Sequence, residues 1–112
     1  MSYPISIERP KTLASASKRL AALQEKGAVL GGGLEILDRL RHGDFAAPEV
    51  LIPLKAIGGT SYIQIRGEEV RIGASTTIAE IAESNGIRRV ASLLTEAAAA
   101  VGSPQIRAQG TI

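Results

Sequence analysis

The sequence has no cysteine and no tryptophan, a single histidine, and only three aromatic residues, Tyr3, Phe45 and Tyr62. Each shortage removes a class of function. Without thiols the chain can hold neither an iron–sulfur cluster nor a thiolate zinc site and forms no disulfide, which suits a reducing cytoplasm. Three aromatics cannot supply the stacking platforms of single-strand nucleic-acid binders. Charge of one sign is also lacking: thirteen Lys and Arg are spread among eleven acids for a net +2. The doublet Arg88-Arg89 reads as a solvated helix start, so nucleic acid is not an expected partner. No apolar run approaches the roughly eighteen residues of a membrane span, and no basic start followed by an apolar stretch marks an export signal. His42 sits in a polar stretch and reads as a surface residue.

What is present is aliphatic. Apolar residues make up 45% of 112 positions, enough for one domain with a modest core of Leu, Ile, Val and Ala that buries roughly two thirds of the unfolded chain's surface. The organising stretch is Gly27-Ala-Val-Leu-Gly31-Gly-Gly33-Leu-Glu-Ile-Leu37, where three glycines separate a short apolar run from an amphipathic one. This predicts strand, tight turn, helix. Such a turn is either a plain reversal or a phosphate-approach site, because glycine permits close contact and the first N–H groups of the helix carry the positive end of its dipole.

Around that turn the chain divides into short elements. Tyr3 to Ile7 predicts an edge strand, stopped by Pro10. Thr12 caps a helix over 13–26 with Leu13, Ala16, Leu20 and Leu23 on one face and Gly27 at its C′ position. Leu34, Ile36, Leu37 and Leu40 form the inward face of the next helix, which closes near His42-Gly43. Its Glu35 would oppose a phosphate unless turned away or bound to a hydroxyl. Pro48 to Leu54 predicts a strand whose Pro53 marks an edge or an end. Ile63 to Arg66 and Glu69 to Ile72 alternate around Gly67-Glu68 and predict a hairpin. Thr77 and Glu80 form a capping box, with Asn85-Gly86 ending that helix. A last helix over 88–101 would bury Val90, Leu93, Leu94, Ala97 and Val101 and stop at Gly102-Ser-Pro104. Residues 104–112 read as a polar stretch that stops with no closing helix or polar tail, and their Gly-Thr pair suits a backbone-led anion contact.

Other chemistries find no support. Gly31-x-Gly33-x-x-Ile36 lacks the third glycine of the dinucleotide fingerprint, and no Gly-Lys-Ser/Thr follows to make a P-loop. Ser61 and Ser75 have no nucleophile-elbow setting and no histidine partner. Glu68 and Glu69 lie in a turn or on opposite faces of a strand, so they cannot act on one bond.

The order of motifs carries a resemblance. Gly31-Gly-Gly-Leu-Glu-Ile-Leu37, Leu40-Arg-His-Gly43, Pro48-Glu-Val-Leu-Ile52, Val70-Arg-Ile-Gly-Ala-Ser-Thr-Thr77 and Gln105-Ile-Arg107 with Gly110-Thr-Ile112 resemble the FAD-binding medium subunit of molybdenum hydroxylases, the xanthine dehydrogenase and carbon monoxide dehydrogenase family. The likeness runs from about Tyr3 to the last residue. It implies an α+β fold, the first subdomain of a two-subdomain FAD-binding domain of the vanillyl-alcohol oxidase type, with a small mixed sheet and helices. The first subdomain would extend to about residue 102, with 103–112 opening a second phosphate loop, and the chain is expected to be the N-terminal part of a longer subunit.

Matched to the family's A-G-G-T-D-L-L and I-R-N-x-G-T-I-G-G-N patterns, the cofactor-binding residues would be Gly31, Gly32, Gly33, Leu34 and Glu35 in the first turn and Gly110, Thr111 and Ile112 in the second. Gly32 and Gly33 would be donors to the pyrophosphate. The sequence departs from the pattern at Leu34, where the family has a hydroxyl residue, at Ala108, where it has Asn, and more mildly at Glu35. Losing one side-chain bond to an anion costs on the order of 1.5–3 kcal/mol, about ten- to a hundredfold in affinity. The resemblance implies an electron-transfer flavoprotein in the cytoplasm that passes electrons from a partner's iron–sulfur centres to FAD and on to NAD⁺, oxygen or a quinone. Its expected partners are an iron–sulfur small subunit and a molybdopterin large subunit, the latter choosing the substrate. The alternative is a flavin-less α+β interaction module that keeps the scaffold alone.

Overall fold

A computed structural model describes residues 4–43 and 46–112. Tyr3, the first residue of the expected edge strand, lies outside them. The chain divides into two compact units, one ending at Gly58 and the other beginning at Gly59.

The first unit is a three-stranded parallel sheet with two helices. In chain order it contains β1 (Ser6–Ile7), α1 (Leu13–Leu23), β2 (Gly27–Leu30), α2 (Leu34–His42) and β3 (Val50–Pro53). The strand order is β1-β3-β2, with Val50 in register with both Ser6 and Gly27. β3 is therefore central. Its Val50, Leu51 and Ile52 are all buried, the continuous apolar run that a strand covered on both sides requires. Pro53 falls at its end, where the missing N–H interrupts no ladder. Ala16, Val50, Ile52 and Ile57 form the core, with Leu20, Leu23 and Leu54 packed against it.

Thr12 caps α1 as expected, its hydroxyl accepting from the Ser15 amide at 3.1 Å. The expected helix over 13–26 is shorter, however. It stops at Gln24, which takes φ +54°, and residues 24–26 form a single tight turn. Gly27 is extended, with φ −108°, and is not a left-handed cap. Glycine is needed there for another reason: a Cβ would lie 2.9 Å from Leu23 Cβ, so its absence lets α1 settle onto β2. Leu13 is 57% exposed and leaves the apolar face to Ala16, Leu20 and Leu23.

The second unit is a hairpin with four short helices. β4 (Ile63–Arg66) and β5 (Glu69–Ile72) pair antiparallel, matching Ile63 with Ile72 and Ile65 with Val70. Gly67 makes the turn at φ +60°. The helices are α3 (Ile78–Ala82), α4 (Asn85–Val90), α5 (Ser92–Ala99) and α6 (Pro104–Gln109). Ile81, Ile87 and Ala98 form the core, covered by Ile63, Val70, Ile72 and Leu94 among others.

The capping box of α3 is present in full: Thr77 Oγ1 accepts from the Glu80 amide and Glu80 Oε2 accepts from the Thr77 amide at 2.8 Å. Beyond it three expectations are corrected. Asn85-Gly86 opens α4, capped by the Ser84 hydroxyl, and does not end α3. A Cβ on Gly86 would sit 2.2 Å from Ile65 Cδ1, so this glycine admits the hairpin side chain. The single helix over 88–101 is broken at Ala91 (φ −145°, ψ 67°), which resets the helical phase. Consequently Ile87, Thr95 and Ala98 face inward, Leu94 is half-buried, and Leu93 is 76% exposed beside exposed Val90, Ala97 and Val101. The polar stretch after Gly102 forms a helix: Ser103 caps α6 and Pro104 occupies its first position, where the lost N–H would be unpaired anyway.

Candidate functional site

The first candidate stretch is built by β2 and α2. β2 delivers the chain to Gly31, Gly32 and Gly33, all half-buried, and α2 begins at Leu34. Gly33 sits at φ +83°, ψ −6°, the left-handed region where a side chain is strained. That turn aims the helix start. Gly33 C=O accepts the first intrahelical bond from the Leu37 amide at 3.1 Å, so the amides of Leu34, Glu35 and Ile36 precede the ladder. Among the described residues no side chain caps them. Nine residues of helix thus present donors and a positive dipole end at a glycine turn, which is chemistry suited to an anion.

The carboxylate that could spoil this site is turned outward. Glu35 is paired with Arg39 one turn on, at 3.4 Å, and its side chain is 81% exposed. Leu34 is half-buried and brings no hydroxyl, so the recognition offered here is by backbone alone. The inward face expected of α2 is shallow: no residue of the helix is buried, and Leu37 is 50% exposed.

The second candidate stretch is held quite differently. The Gly110 amide donates to Ile106 C=O at 2.7 Å and closes α6, while the Ile112 amide donates to Thr76 C=O at 3.1 Å. The Gly110 C=O accepts from the Ile78 amide at 2.9 Å. Thr111 lies between these bonds, bridged to Thr77 in the antiparallel sense. In a pair flanked in this way the residues exchange no bonds with each other, and their own N–H and C=O point away from the partner. Of the three residues, Thr111 keeps its amide directed outward. Gly110 has φ −63°, which any residue adopts, so its backbone does not demand glycine.

Gly31 to Glu35 therefore form one contiguous stretch in the first unit, and Gly110, Thr111 and Ile112 another in the second. The residues that sequence reasoning missed are Thr76 and Ile78, whose carbonyl and amide hold the second stretch. Their signal is the Gly-Ala-Ser-Thr-Thr segment ahead of α3, which in sequence marks a helix cap and one motif of the resemblance but no contact with residues 110–112. Elsewhere in the second unit an apolar recess of about 360 Å³ is lined by Ile65, Gly67, Gly86, Arg89 and Val90, with no convergent polar groups beyond Arg89. Among the described residues, no group of three or more His, Asp or Glu could hold a metal, and no helix is long and apolar enough to cross a membrane.

Comparison with known proteins identifies the family. Residues 3–112 match the family described as the FAD binding domain in molybdopterin dehydrogenase. The chain is 34% identical over 104 residues to the nicotinate dehydrogenase FAD-subunit of Eubacterium barkeri, covering 92% of this chain and 35% of that one. It is also 34% identical over 104 residues to the carbon monoxide dehydrogenase medium chain of Afipia carboxidovorans, covering 93% of this chain and 36% of that one. The fold superposes on a solved carbon monoxide dehydrogenase from Oligotropha carboxidovorans with a TM-score of 0.90 at 31% identity, over 99% of this chain and 38% of that one. The chain thus spans about a third of the length of the relatives it matches.

Proposed function

The chain belongs to the family of FAD-binding domains of molybdopterin dehydrogenases, and from that premise we propose that it holds FAD within the electron-transfer subunit of a molybdenum hydroxylase. The observation that carries the proposal is the uncapped start of α2 behind the left-handed Gly33. Bound there, FAD would supply the redox chemistry, and the protein's share is binding and orientation. Gly32 and Gly33 approach the pyrophosphate with Gly31 leading into the turn. The amides of Leu34 and Glu35 face it, and Arg39 keeps the Glu35 carboxylate turned out. Thr111 offers an amide and a hydroxyl, flanked by Gly110 and Ile112, which fix its pose. Residues to about 102 serve as the first subdomain, and 103–112 open the second phosphate loop.

Electrons must reach such a flavin from elsewhere, since a chain without cysteine carries no iron–sulfur cluster. The partners are accordingly an iron–sulfur small subunit and a molybdopterin large subunit, in the cytoplasm. The protein isolated from its own cells is expected to show the flavin absorption band and to copurify with a Cys-rich chain and a large chain. Added FAD should raise its melting temperature after flavin removal, because a ligand at a hundredfold excess over Kd stabilises by about 2.7 kcal/mol. A colourless protein with no melting rise would overturn the flavin reading. It would favour the flavin-less module, which Leu34, Ala108 and the internally bonded amides of Gly110 and Ile112 recommend.

A further inference from the structure

One buried side chain ties the second stretch to the body of its unit. Thr76 is 1% exposed, and its hydroxyl makes two bonds to a single residue, accepting from the Tyr62 amide at 3.1 Å and donating to the Tyr62 C=O at 3.0 Å. Its neighbours are pinned too: the Ser75 amide donates to Thr60 C=O at 2.8 Å and the Thr76 amide to Gly73 C=O at 3.0 Å. A Cβ on Gly73 would lie 2.3 Å from the Thr60 oxygen, so the two segments lie in backbone contact. The Thr76 carbonyl is therefore a fixed point, and it is this carbonyl that accepts the Ile112 amide.

We infer that Thr76 is a positioning residue for the phosphate loop: by locking its own carbonyl through Tyr62 it sets the pose of Gly110–Ile112 and with it the direction of the Thr111 amide, the donor this unit offers to the flavin. The inference rests on the flavin reading for its consequence, and on hydrogen bonding alone for the pose. Thr76 is buried, so its role is exerted through the loop. It acts because Thr111 is gripped on both sides, by Gly110 C=O to the Ile78 amide and by the Ile112 amide to Thr76 C=O, and only the second grip is anchored by a buried side chain. Replacing that hydroxyl by a methyl keeps the shape but removes both side-chain bonds and leaves the Tyr62 amide without its partner, so the carbonyl is held by backbone bonds alone.

The test compares Thr76→Val with Thr95→Val. Thr95 is also buried, at 3% exposure, and its hydroxyl donates to Ser92 C=O at 2.8 Å, in the same unit but with no bond to residues 110–112. Both variants should lower the melting temperature by similar amounts. Only Thr76→Val should speed hydrogen exchange at the Ile112 amide and weaken FAD binding, by about tenfold, the effect of one lost hydrogen bond. Thr76→Ser, which keeps the hydroxyl, should restore both. Equal FAD weakening in the two variants, unchanged Ile112 exchange in Thr76→Val, or no rescue by serine would overturn the inference. If the wild-type protein binds no FAD the flavin reading fails by itself, and the Ile112 exchange comparison still decides whether Thr76 sets the loop.

Discussion

The two candidate stretches differ in what their amides are doing. At Gly31–Glu35 the helix start is uncapped and its leading N–H groups precede the hydrogen-bond ladder. At Gly110–Ile112 two of three amides are consumed by the unit's own fold, one closing α6 and one reaching Thr76. Both stretches contain glycine, yet only Gly33 occupies a conformation that requires it. The difference teaches that glycine content does not measure anion-binding capacity. Donors count only if the fold leaves them without an acceptor, because a backbone N–H that already has a partner gains little by exchanging it for another. The amides of Leu34, Glu35 and Ile36 at the helix start are a preformed cluster of donors, and the second stretch is a rigid mount for one.

The supports beneath the two stretches offer the largest test. Ile52 sits on the central strand with a paired neighbour on either side, and Ile81 sits on the five-residue helix α3. Truncation to Ala costs about 2–5 kcal/mol in such sites, according to how far the surroundings collapse. Ile52→Ala should fall at the upper end, because paired strands cannot close the gap, and Ile81→Ala at the lower end, because a short helix can shift. Denaturant unfolding of both variants checks the order, and the reverse order would mean that the mount is stiffer than the sheet.

A smaller effect separates the glycines themselves. Gly33→Val places a β-branched residue at φ +83° and should cost about 2–3 kcal/mol, with loss of flavin retention. Gly110→Ala keeps φ −63° within reach of alanine and should cost less than about 1 kcal/mol, with flavin retained. Equal flavin loss in both variants would erase the distinction between cradle and mount.

The smallest effect belongs to the first unit alone. The Arg19 guanidinium grips the Glu8 carboxylate with two bonds of 2.7 and 2.9 Å, and this hydrogen bonding holds Glu8 below the usual carboxylate range. A carboxyl whose folded pKa is depressed adds stability above its unfolded pKa and loses that contribution as the pH falls through the folded one. The melting temperature of the wild type should therefore exceed that of Glu8→Gln near neutral pH and converge with it in acid. A gap that stays constant from neutral to acid pH would show that the pair does not titrate with folding.

Much of this molecule is determined by sequence acting locally. The caps at Thr12 and Thr77 and the turn at Gly67 each involve residues within four positions of one another, the strand, glycine turn and helix around Gly33 follow one another directly along the chain, and each forms where its pattern places it. The motif order likewise carries the family, since it depends on residue identity alone. What the sequence left open depends on distant partners. The stripe from Val90 to Val101 has the right period for a core face, yet Ala91 breaks the helix and the side chains that meet the hairpin are Ile87 and Leu94, with Leu93 left in solvent. Gly27 and Gly86 look like helix stops in sequence and are contact points in space, against Leu23 and Ile65. Whether Gly110 and Ile112 have amides to spare was decided by Ile106 at short range and by Thr76 from 36 positions away. A hydrogen bond has two ends, and sequence displays only the residue at one of them until the chain has folded the other into reach.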